Sequence, residues 1–240
     1  MTRLLKYELR RLLINKFFLG LLVVNGLFAW YILTSDTVAG VAYTSPFSPW
    51  SFSAYLASVM PMAILTVLFL LTFFHSKNEK QVTVLTSTTP MDTVRYALIR
   101  MIALTVGFLL LCALLIGMSL YFYAVYFDYW ECSVFVVPAI VTILPCFVFI
   151  LGVGHWIGRI DSRFLYALML IFFMMNFIQI PGEFDLFGGG YYTSIPLSLP
   201  AGMDGEPAFV LNMAFLAARA LYLVVGMVLF IVSVRPARKK

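Results

Sequence analysis

Charged residues are scarce in this chain: they make up 11% of its 240 residues, whereas hydrophobic residues make up 62%. Because a soluble domain carries about 25% charged residues, this composition excludes an ordinary soluble protein and predicts a single membrane domain over residues 1–240. The net charge of +5 does not indicate a nucleic-acid partner, because the basic residues are distributed as a membrane topology requires.

Short motifs for catalysis are also missing. The sequence contains no GxxxxGK[ST] phosphate-binding loop, no HExxH metalloprotease motif and no GxSxG nucleophile turn. We therefore expect that the chain is not an enzyme and that it holds neither a cofactor nor a metal. The two histidines, His75 and His155, make a weak case for a metal site and are interpreted as packing residues near the ends of membrane spans.

Cysteine is rare, with three residues in the chain. Cys112 and Cys146 lie within apolar runs and are expected in the core, whereas Cys132 is expected to be exposed. We therefore predict no structural disulfide.

Long apolar runs are what the sequence has in abundance. A membrane-crossing helix needs about 20 apolar residues, and six runs satisfy this length, so the predicted fold class is an all-α integral membrane protein with six transmembrane helices. No carboxylate lies within the runs, which argues against a carrier driven by protons or sodium ions through an acid relay. The predicted spans are 17–34, 52–75, 101–127, 134–157, 164–180 and 209–234.

The basic residues lie on one side of these spans. Fifteen of the sixteen lysines and arginines fall before the first span, in the loops after the second and fourth spans, or after the sixth. The remaining loops, 35–51, 128–133 and 181–208, contain seven acids and no lysine or arginine. The positive-inside rule therefore predicts that both termini and the loop 76–100 lie in the cytoplasm.

Leucines and basic residues alternate with helical spacing over residues 1–15. This pattern predicts an amphipathic helix that lies along the membrane surface; the alternative is a basic flank that only orients the first span. One face carries Leu4, Leu5, Leu9, Leu12 and Leu13, and the opposite face carries Arg3, Lys6 and Arg10.

The segment 76–100 is the longest polar interruption in the first half of the chain. Thr89, Pro90 and Asp92 are typical of a helix start, with a threonine N-cap, a proline at the first helical position and an acid in the first turn. The helix is expected to continue through Arg95 into the third span. We interpret the segment as the part that couples the membrane domain to a cytoplasmic component.

The outer segment 181–208 is rich in glycine and proline and is more apolar than a plain solvent loop. A segment of this kind dips back into the membrane when protein or a cavity surrounds its backbone. An ordinary ordered cap fits the composition equally well, and both interpretations stay open at this point.

The sixteenth basic residue, Arg219, lies about ten residues into the sixth span, where an arginine costs about 2.5–3.5 kcal/mol on insertion scales. It belongs to a polar and small stripe, Asn212, Arg219, Gly226 and Ser233, that recurs every seventh residue. We expect this stripe to face the bundle interior or a subunit interface. Arg219 then contacts an anionic part of a cargo or forms a gate, or else it reaches the outer interface or pairs with a structural carbonyl.

Two further polar residues, Asn176 and Gln179, lie near the outer end of the fifth predicted span. They are candidates for lining a path through the membrane. Capping of the helix, or hydrogen bonding between spans, is the alternative for both.

The whole pattern resembles the permease subunits of type-2 ABC (ATP-binding-cassette) exporters. The shared features are an amphipathic N-terminal helix, six spans with both termini inside, a sizeable loop after the second span and a long outer segment before the sixth. The local likeness follows Glu79, Val84-Leu85-Thr86-Ser87, Thr89-Pro90 and Val94 to Arg100, where the family often has an acidic stretch, a leucine-rich turn, a Ser/Thr-Pro step and a helix.

This resemblance implies the transmembrane subunit of an exporter in a bacterial plasma membrane. Such a subunit forms the translocation path as a homodimer, or with a similar permease, and is driven by two ATPase subunits that bind ATP and Mg. The implied cargo is an amphipathic or hydrophobic peptide, as in peptide, toxin and self-immunity systems. Contact with the ATPase falls to Glu79, Leu85, Thr89, Pro90, Asp92 and Arg95, and the cargo path to Arg219, Asn212, Asn176 and Gln179.

Two other functions compete with this one. A membrane subunit that binds a substrate for vitamin uptake also has six spans, although it needs neither a surface helix nor a long capped loop. A membrane sensor or assembly factor without transport activity is the second alternative. A membrane-embedded enzyme would need a clustered nucleophile or metal site, which the scattered acids and histidines do not provide.

Overall fold

In the computed structural model, residues 2–75, 93–175, 178, 180–200 and 206–234 are described, and among them no strand forms. Helices account for most of these residues, and three short 3-10 turns, Thr37–Ala39, Cys132–Phe135 and Gly182–Phe184, connect them. The α-helices of the described ranges are α1 (Thr2–Leu13), α2 (Lys16–Ser35), α3 (Pro49–Phe74), α4 (Thr93–Phe127), α5 (Val136–Ile160), α6 (Arg163–Met175), α7 (Gly189–Ser198) and α8 (Met213–Val234).

Five of these helices are long and apolar enough to cross a membrane: α2, α3, α4, α5 and α8. They coincide with five of the six predicted spans. The fifth predicted span, 164–180, is described mainly as α6, whose 13 residues extend over about 20 Å, less than the hydrocarbon core of about 30 Å. The described chain is therefore all-α and has the helices of a membrane-embedded protein, while the fifth predicted span, 164–180, stays a prediction.

Side-chain caps set the start of two of the long helices. Asn15 caps α2, and its side-chain oxygen accepts a hydrogen bond from the backbone N–H of Phe17 at 3.1 Å. Ser48 caps α3 in the same way by accepting from the N–H of Ser51 at 3.1 Å, and Pro49 occupies the first helical position. Both arrangements satisfy N–H groups that have no partner within the helix.

Helix α4 is the longest of the described helices, with 35 residues and a length of about 52 Å. It therefore exceeds the hydrocarbon thickness of about 30 Å by several turns. About two of these turns, residues 93–100, precede the predicted span 101–127 and carry Arg95 and Arg100, as the expected continuation of a helix into the third span requires. Thr89, Pro90 and Asp92, the residues predicted to start this helix, lie outside the described ranges.

Helix α3 is the central helix of the bundle. It contacts α2, α4, α5, α6 and α7, and 72% of its membrane-length window is buried, against 22% for α8. The outward faces of α2 and α8 consist largely of exposed aliphatic residues, as lipid-facing surfaces do.

The helix ends form two layers. At one end, which we call the acidic end, Trp30 lies against Tyr126, with ring centroids 6.4 Å apart, and the Glu206 carboxylate accepts hydrogen bonds from the backbone N–H, at 2.8 Å, and the hydroxyl of Ser45. Burial and the nearby Glu131 carboxylate raise the pKa of the Tyr129 hydroxyl above its ordinary value. The opposite, basic end holds α1, the end of α3 and the start of α4.

Helices α5 and α8 approach each other closely at two glycines. A methyl group on Gly226 would lie 2.5 Å from the carbonyl oxygen of Val148 and 2.6 Å from Cα of Phe149, and one on Gly152 would overlap the backbone of Gly226. Only glycine permits this approach, as is common where helices pack within membranes.

Candidate functional site

Arg219 is the buried cation at the centre of the candidate site. Its side chain is 3% exposed and lies on α8, the seventh residue of that helix. One terminal nitrogen donates to the carbonyl oxygen of Leu186, and the other donates to the carbonyl oxygen of Asp185 at 3.0 Å. The guanidinium also lies over the ring of Phe215, 4.4 Å from its centroid. The arginine thus binds the backbone of the segment before α7.

The segment that Arg219 holds is shaped by Asp185 and a glycine. The Asp185 carboxylate accepts from the N–H groups of Phe187 at 3.0 Å and Gly190 at 3.1 Å, which closes a tight turn. Within the turn, Gly188 has φ +85, and a methyl group there would lie 2.5 Å from the guanidinium. The position therefore requires glycine for two reasons: its φ is positive, and a side chain there would overlap the guanidinium.

Two buried tyrosines of α7 fasten the same segment to the long helices. The hydroxyl of Tyr191 accepts from the N–H of Asn212 at 2.6 Å and donates to the carbonyl oxygen of Val210 at 3.2 Å, and its ring stacks on Phe215. The hydroxyl of Tyr192 lies 2.7 Å from that of Thr142 on α5.

These contacts show how far the segment extends between the helices. Thr142 is the seventh residue of α5 and Arg219 the seventh of α8, so both lie about 9 Å along their axes from the helix starts. Residues 185–192 therefore reach about two turns below the acidic end, and the arginine satisfies carbonyl groups that water would bind at the surface.

Three members of the predicted stripe on α8 face the interior. Arg219, Gly226 and Ser233 are buried, as expected. Asn212 is exposed and lies just before the helix, where its side-chain oxygen accepts from the N–H of Ala214 at 3.4 Å. Asn212 therefore caps the start of α8. Its backbone N–H also donates to the hydroxyl of Tyr191, whose ring stacks on Phe215, the ring that the Arg219 guanidinium covers.

The other predicted site residues are distributed differently. Arg95 is exposed on the first turns of α4, at the basic end. The remaining coupling residues, Glu79, Leu85, Thr89, Pro90 and Asp92, lie outside the described residues, as do the path candidates Asn176 and Gln179.

A second buried polar cluster lies at the basic end. Glu8 of α1 is 2% exposed; its carboxylate accepts from the hydroxyl of Tyr96 at 3.2 Å and lies 3.9 Å from Nε of Arg100. Arg100 also donates to the carbonyl oxygen of Phe74 at 3.3 Å, and its guanidinium lies over the ring of Tyr96. The cluster joins α1 to the end of α3 and the start of α4.

The sequence interpretation missed Glu8, although a pattern pointed to it. Glu8 is the only acid before Asp36, and it follows Leu4 and precedes Leu12 by four residues each, which places it on the apolar stripe of the helix. An acid in that position requires a buried partner. Arg100, 92 residues away in the chain, supplies it.

The two histidines, which were interpreted separately as packing residues near the ends of spans, meet at the basic end. Their ring centroids lie 5.2 Å apart, and both residues are buried. Nδ1 of His75 lies 2.9 Å from the carbonyl oxygen of Leu71. Within the described ranges no group of three or more histidine, cysteine or acidic residues is arranged to hold a metal ion.

Fold and site together define a class: an all-α protein with membrane-length helices, in which a buried arginine holds a segment inserted between the helix ends. Comparisons with protein-family models, curated proteins and solved structures found no match to this chain.

Proposed function

We propose that this chain is the transmembrane subunit of a type-2 ABC exporter. In this proposal it crosses a bacterial plasma membrane six times, with residues 164–180 forming the fifth span and both termini in the cytoplasm. Two copies form the translocation path for an amphipathic or hydrophobic peptide. Two separate ATPase subunits bind ATP and Mg and drive the transport.

The observation that carries the proposal is the arrangement around the polar segment 76–92. This segment joins the central helix α3 to the start of α4, which is one continuous helix of 35 residues. A displacement applied by a cytoplasmic partner at the start of α4 is transmitted along a single rigid element. The exposed Arg95 lies on the part of α4 nearest to that segment.

The Glu8 cluster supports the same role. Arg100 binds both Glu8 of α1 and the carbonyl group of Phe74 at the end of α3, so one side chain holds the surface helix and both flanks of the segment together. Because the carboxylate and the guanidinium are both buried, separating them costs free energy, although Arg11 stays 3.9 Å from the carboxylate. A displacement of the segment 76–92 therefore moves α1, α3 and α4 together.

The outer segment has a corresponding role at the other side of the bilayer. We infer that residues 182–200 form a re-entrant element, since residues 185–192 within them reach about two turns below the helix starts and Arg219 binds the carbonyl groups of Asp185 and Leu186. Nε of Arg219 is buried and has no hydrogen-bond partner among the described residues. This N–H group is the part of Arg219 that a carbonyl or carboxylate of a peptide cargo would engage.

A pull-down from the native membrane in mild detergent tests the proposal. We expect a soluble subunit with a phosphate-binding loop to copurify in an equal amount, identified by mass spectrometry. We also expect Arg95→Glu to reduce its recovery, because this exchange reverses a charge on the proposed contact surface. Lys16→Glu is the matched control, since Lys16 is also exposed but belongs to α2.

Two results would contradict the proposal. Recovery of the chain alone would favour a sensor or assembly factor, and recovery with a small vitamin and no ATPase would favour the uptake subunit. Equal losses for Arg95→Glu and Lys16→Glu would remove Arg95 from the contact surface.

A further inference from the structure

Two adjoining cavities lie where the surface helix α1 meets the membrane helices. The larger has a volume of about 380 Å³ and is lined by Tyr7, Arg10, Arg11, Ile14 and Asn15; we call it the basic cavity. Two guanidinium groups and a phenol hydroxyl supply its hydrogen-bond donors. This donor set suits a phosphate group, to which arginine binds in a bidentate manner.

The smaller cavity has one apolar side, and we call it the apolar cavity after that side. Its volume is about 90 Å³; Leu12, Leu70, Phe73 and Phe74 form the apolar side, and Glu8, Arg11 and Asn15 line the rest. Arg11 and Asn15 line both cavities, so the basic cavity and the apolar one adjoin. A ligand that fits both has an anionic head and an apolar body.

Positive charges outnumber negative ones around the basic cavity. Lys6, Arg10, Arg11 and Lys16 are all exposed. The single acid of α1, Glu8, is turned inward to Arg100, with Arg11 3.9 Å from its second oxygen. The guanidinium of Arg10 makes no hydrogen bond or ion pair with any residue that the structure describes, whereas its backbone carbonyl accepts from the N–H of Ile14 at 3.0 Å. The outward field of α1 is therefore positive, and Arg10 is available to a ligand.

The surroundings of the cavities belong to a membrane interface. Ile14 is 67% and Phe17 60% exposed, and both lie at the junction of α1 with α2, the first membrane-length helix. Exposed apolar side chains beside exposed arginines are typical of helices that lie between the headgroup layer and the acyl chains.

We propose that these cavities form a binding site for one anionic phospholipid. Its phosphate binds Arg10, Arg11 and the hydroxyl of Tyr7, and its glycerol and upper acyl chain enter the apolar cavity beside Phe73 and Phe74. This is a defined site on one lipid molecule, which goes beyond a general attraction of a basic helix to a membrane surface. It does not depend on transport activity.

Native mass spectrometry of the full chain in detergent tests the site, with added phosphatidylglycerol as the probe. Arg10→Gln removes one exposed charge from the basic cavity, and Lys16→Gln removes one exposed charge six residues away, outside the cavity lining. We expect Arg10→Gln to weaken retention of phosphatidylglycerol about fivefold. Lys16→Gln is expected to change it by less than about twofold. Size-exclusion profiles confirm that both variants are folded.

Competition separates the lipid from a free anion. A short-chain phosphatidylglycerol is expected to displace the bound lipid, whereas inorganic phosphate at the same concentration is expected not to, because it cannot occupy the apolar cavity. Displacement by inorganic phosphate would overturn the lipid assignment in favour of a free phosphoryl ligand. Equal losses for the two variants would overturn the site, because they indicate diffuse attraction to the whole helix.

Discussion

At the scale of single residues, two buried charges organise the two ends of the bundle. Arg219 holds backbone carbonyl groups at the acidic end, and Glu8 holds Arg100 at the basic end. Both are costly to bury, so each is retained only with its partners in place. A change at either residue therefore alters the segment that the residue holds, as well as the local charge.

We expect Arg219→Met to loosen residues 181–208. The exchange leaves the carbonyl groups of Leu186 and Asp185 buried without donors, at a cost of about 1–3 kcal/mol each. The loss is offset in part because a cation no longer has to be buried. Arg219→Lys should restore less than half of the stability that the segment loses in Arg219→Met. A single ammonium group cannot donate to both carbonyl groups in the arrangement of a guanidinium, and it does not stack on Phe215 in the same way.

Limited proteolysis from the acidic end measures this effect, as the rate of cleavage within residues 181–208. The exposed arginine of α6, Arg163, supplies the control variant Arg163→Met, for which no change is expected. A cleavage rate for Arg219→Met equal to that of the unaltered chain would show that the carbonyl contacts do not hold the segment.

At the scale of elements, the crossing of α5 and α8 depends on the absence of side chains. Gly152 and Gly226 bring the two backbones into contact, and the stripe that contains Arg219 continues through Gly226 on the same helix face. The glycine contact therefore also fixes the rotation of α8 that directs Arg219 inward.

We expect Gly152→Ala and Gly226→Ala to destabilise the protein by about 1–3 kcal/mol, the usual cost of overpacking. Each methyl group meets backbone atoms, which cannot move as a flexible side chain does. Gly117→Ala in α4 is the matched control, because nothing lies within 4 Å of its added methyl group. It should be neutral or stabilising by up to about 1 kcal/mol, through helix propensity.

Unfolding in mixed micelles with increasing denaturing detergent gives the free energy of unfolding of Gly152→Ala, Gly226→Ala and Gly117→Ala relative to the unaltered chain. The crossing would not depend on glycine if Gly152→Ala and Gly117→Ala unfolded at the same point. A fall in stability for Gly117→Ala alone would place the critical contact on α4 instead.

At the scale of the whole molecule, the two ends of the bundle differ in charge, and the positive-inside rule assigns a side to each. The contacts between Ser45 and Glu206 and between Trp30 and Tyr126 bring the acid-bearing loops to one end. Our proposed topology places this acidic end outside the cell.

A natural cysteine reports on this topology. Cys132 is exposed at the acidic end, whereas Cys112 and Cys146 are buried, as expected from the sequence. We expect a membrane-impermeant maleimide to label intact cells at Cys132, and Cys132→Ser to abolish the labelling. In that background, Arg95→Cys at the basic end should react only after the membrane is permeabilised. Labelling in the reverse pattern would invert the topology.

Several features of the molecule were predictable because they depend on local pattern. The five membrane-length helices follow from runs of apolar residues, and the inward direction of Arg219 and Ser233 follows from their seven-residue spacing. Helix α4 was expected to begin ahead of its span, and it includes Arg95 as predicted. The fifth span, 164–180, stays a prediction, because the described part of its helix ends at Met175 and residues 176, 177 and 179 lie outside the described ranges.

The sequence by itself determined which stretches form membrane-length helices and which acid-bearing loops lie at one end, because both depend on hydrophobicity and charge along the chain. Only the tertiary structure decided what the buried charges bind. Arg219 meets carbonyl groups 33 and 34 residues away, and Glu8 meets an arginine 92 residues away. These contacts depend on how helices pack across the bundle, and no periodicity within one segment encodes them. The insertion of residues 185–192 between α3, α5 and α8 was decided by the same long-range packing.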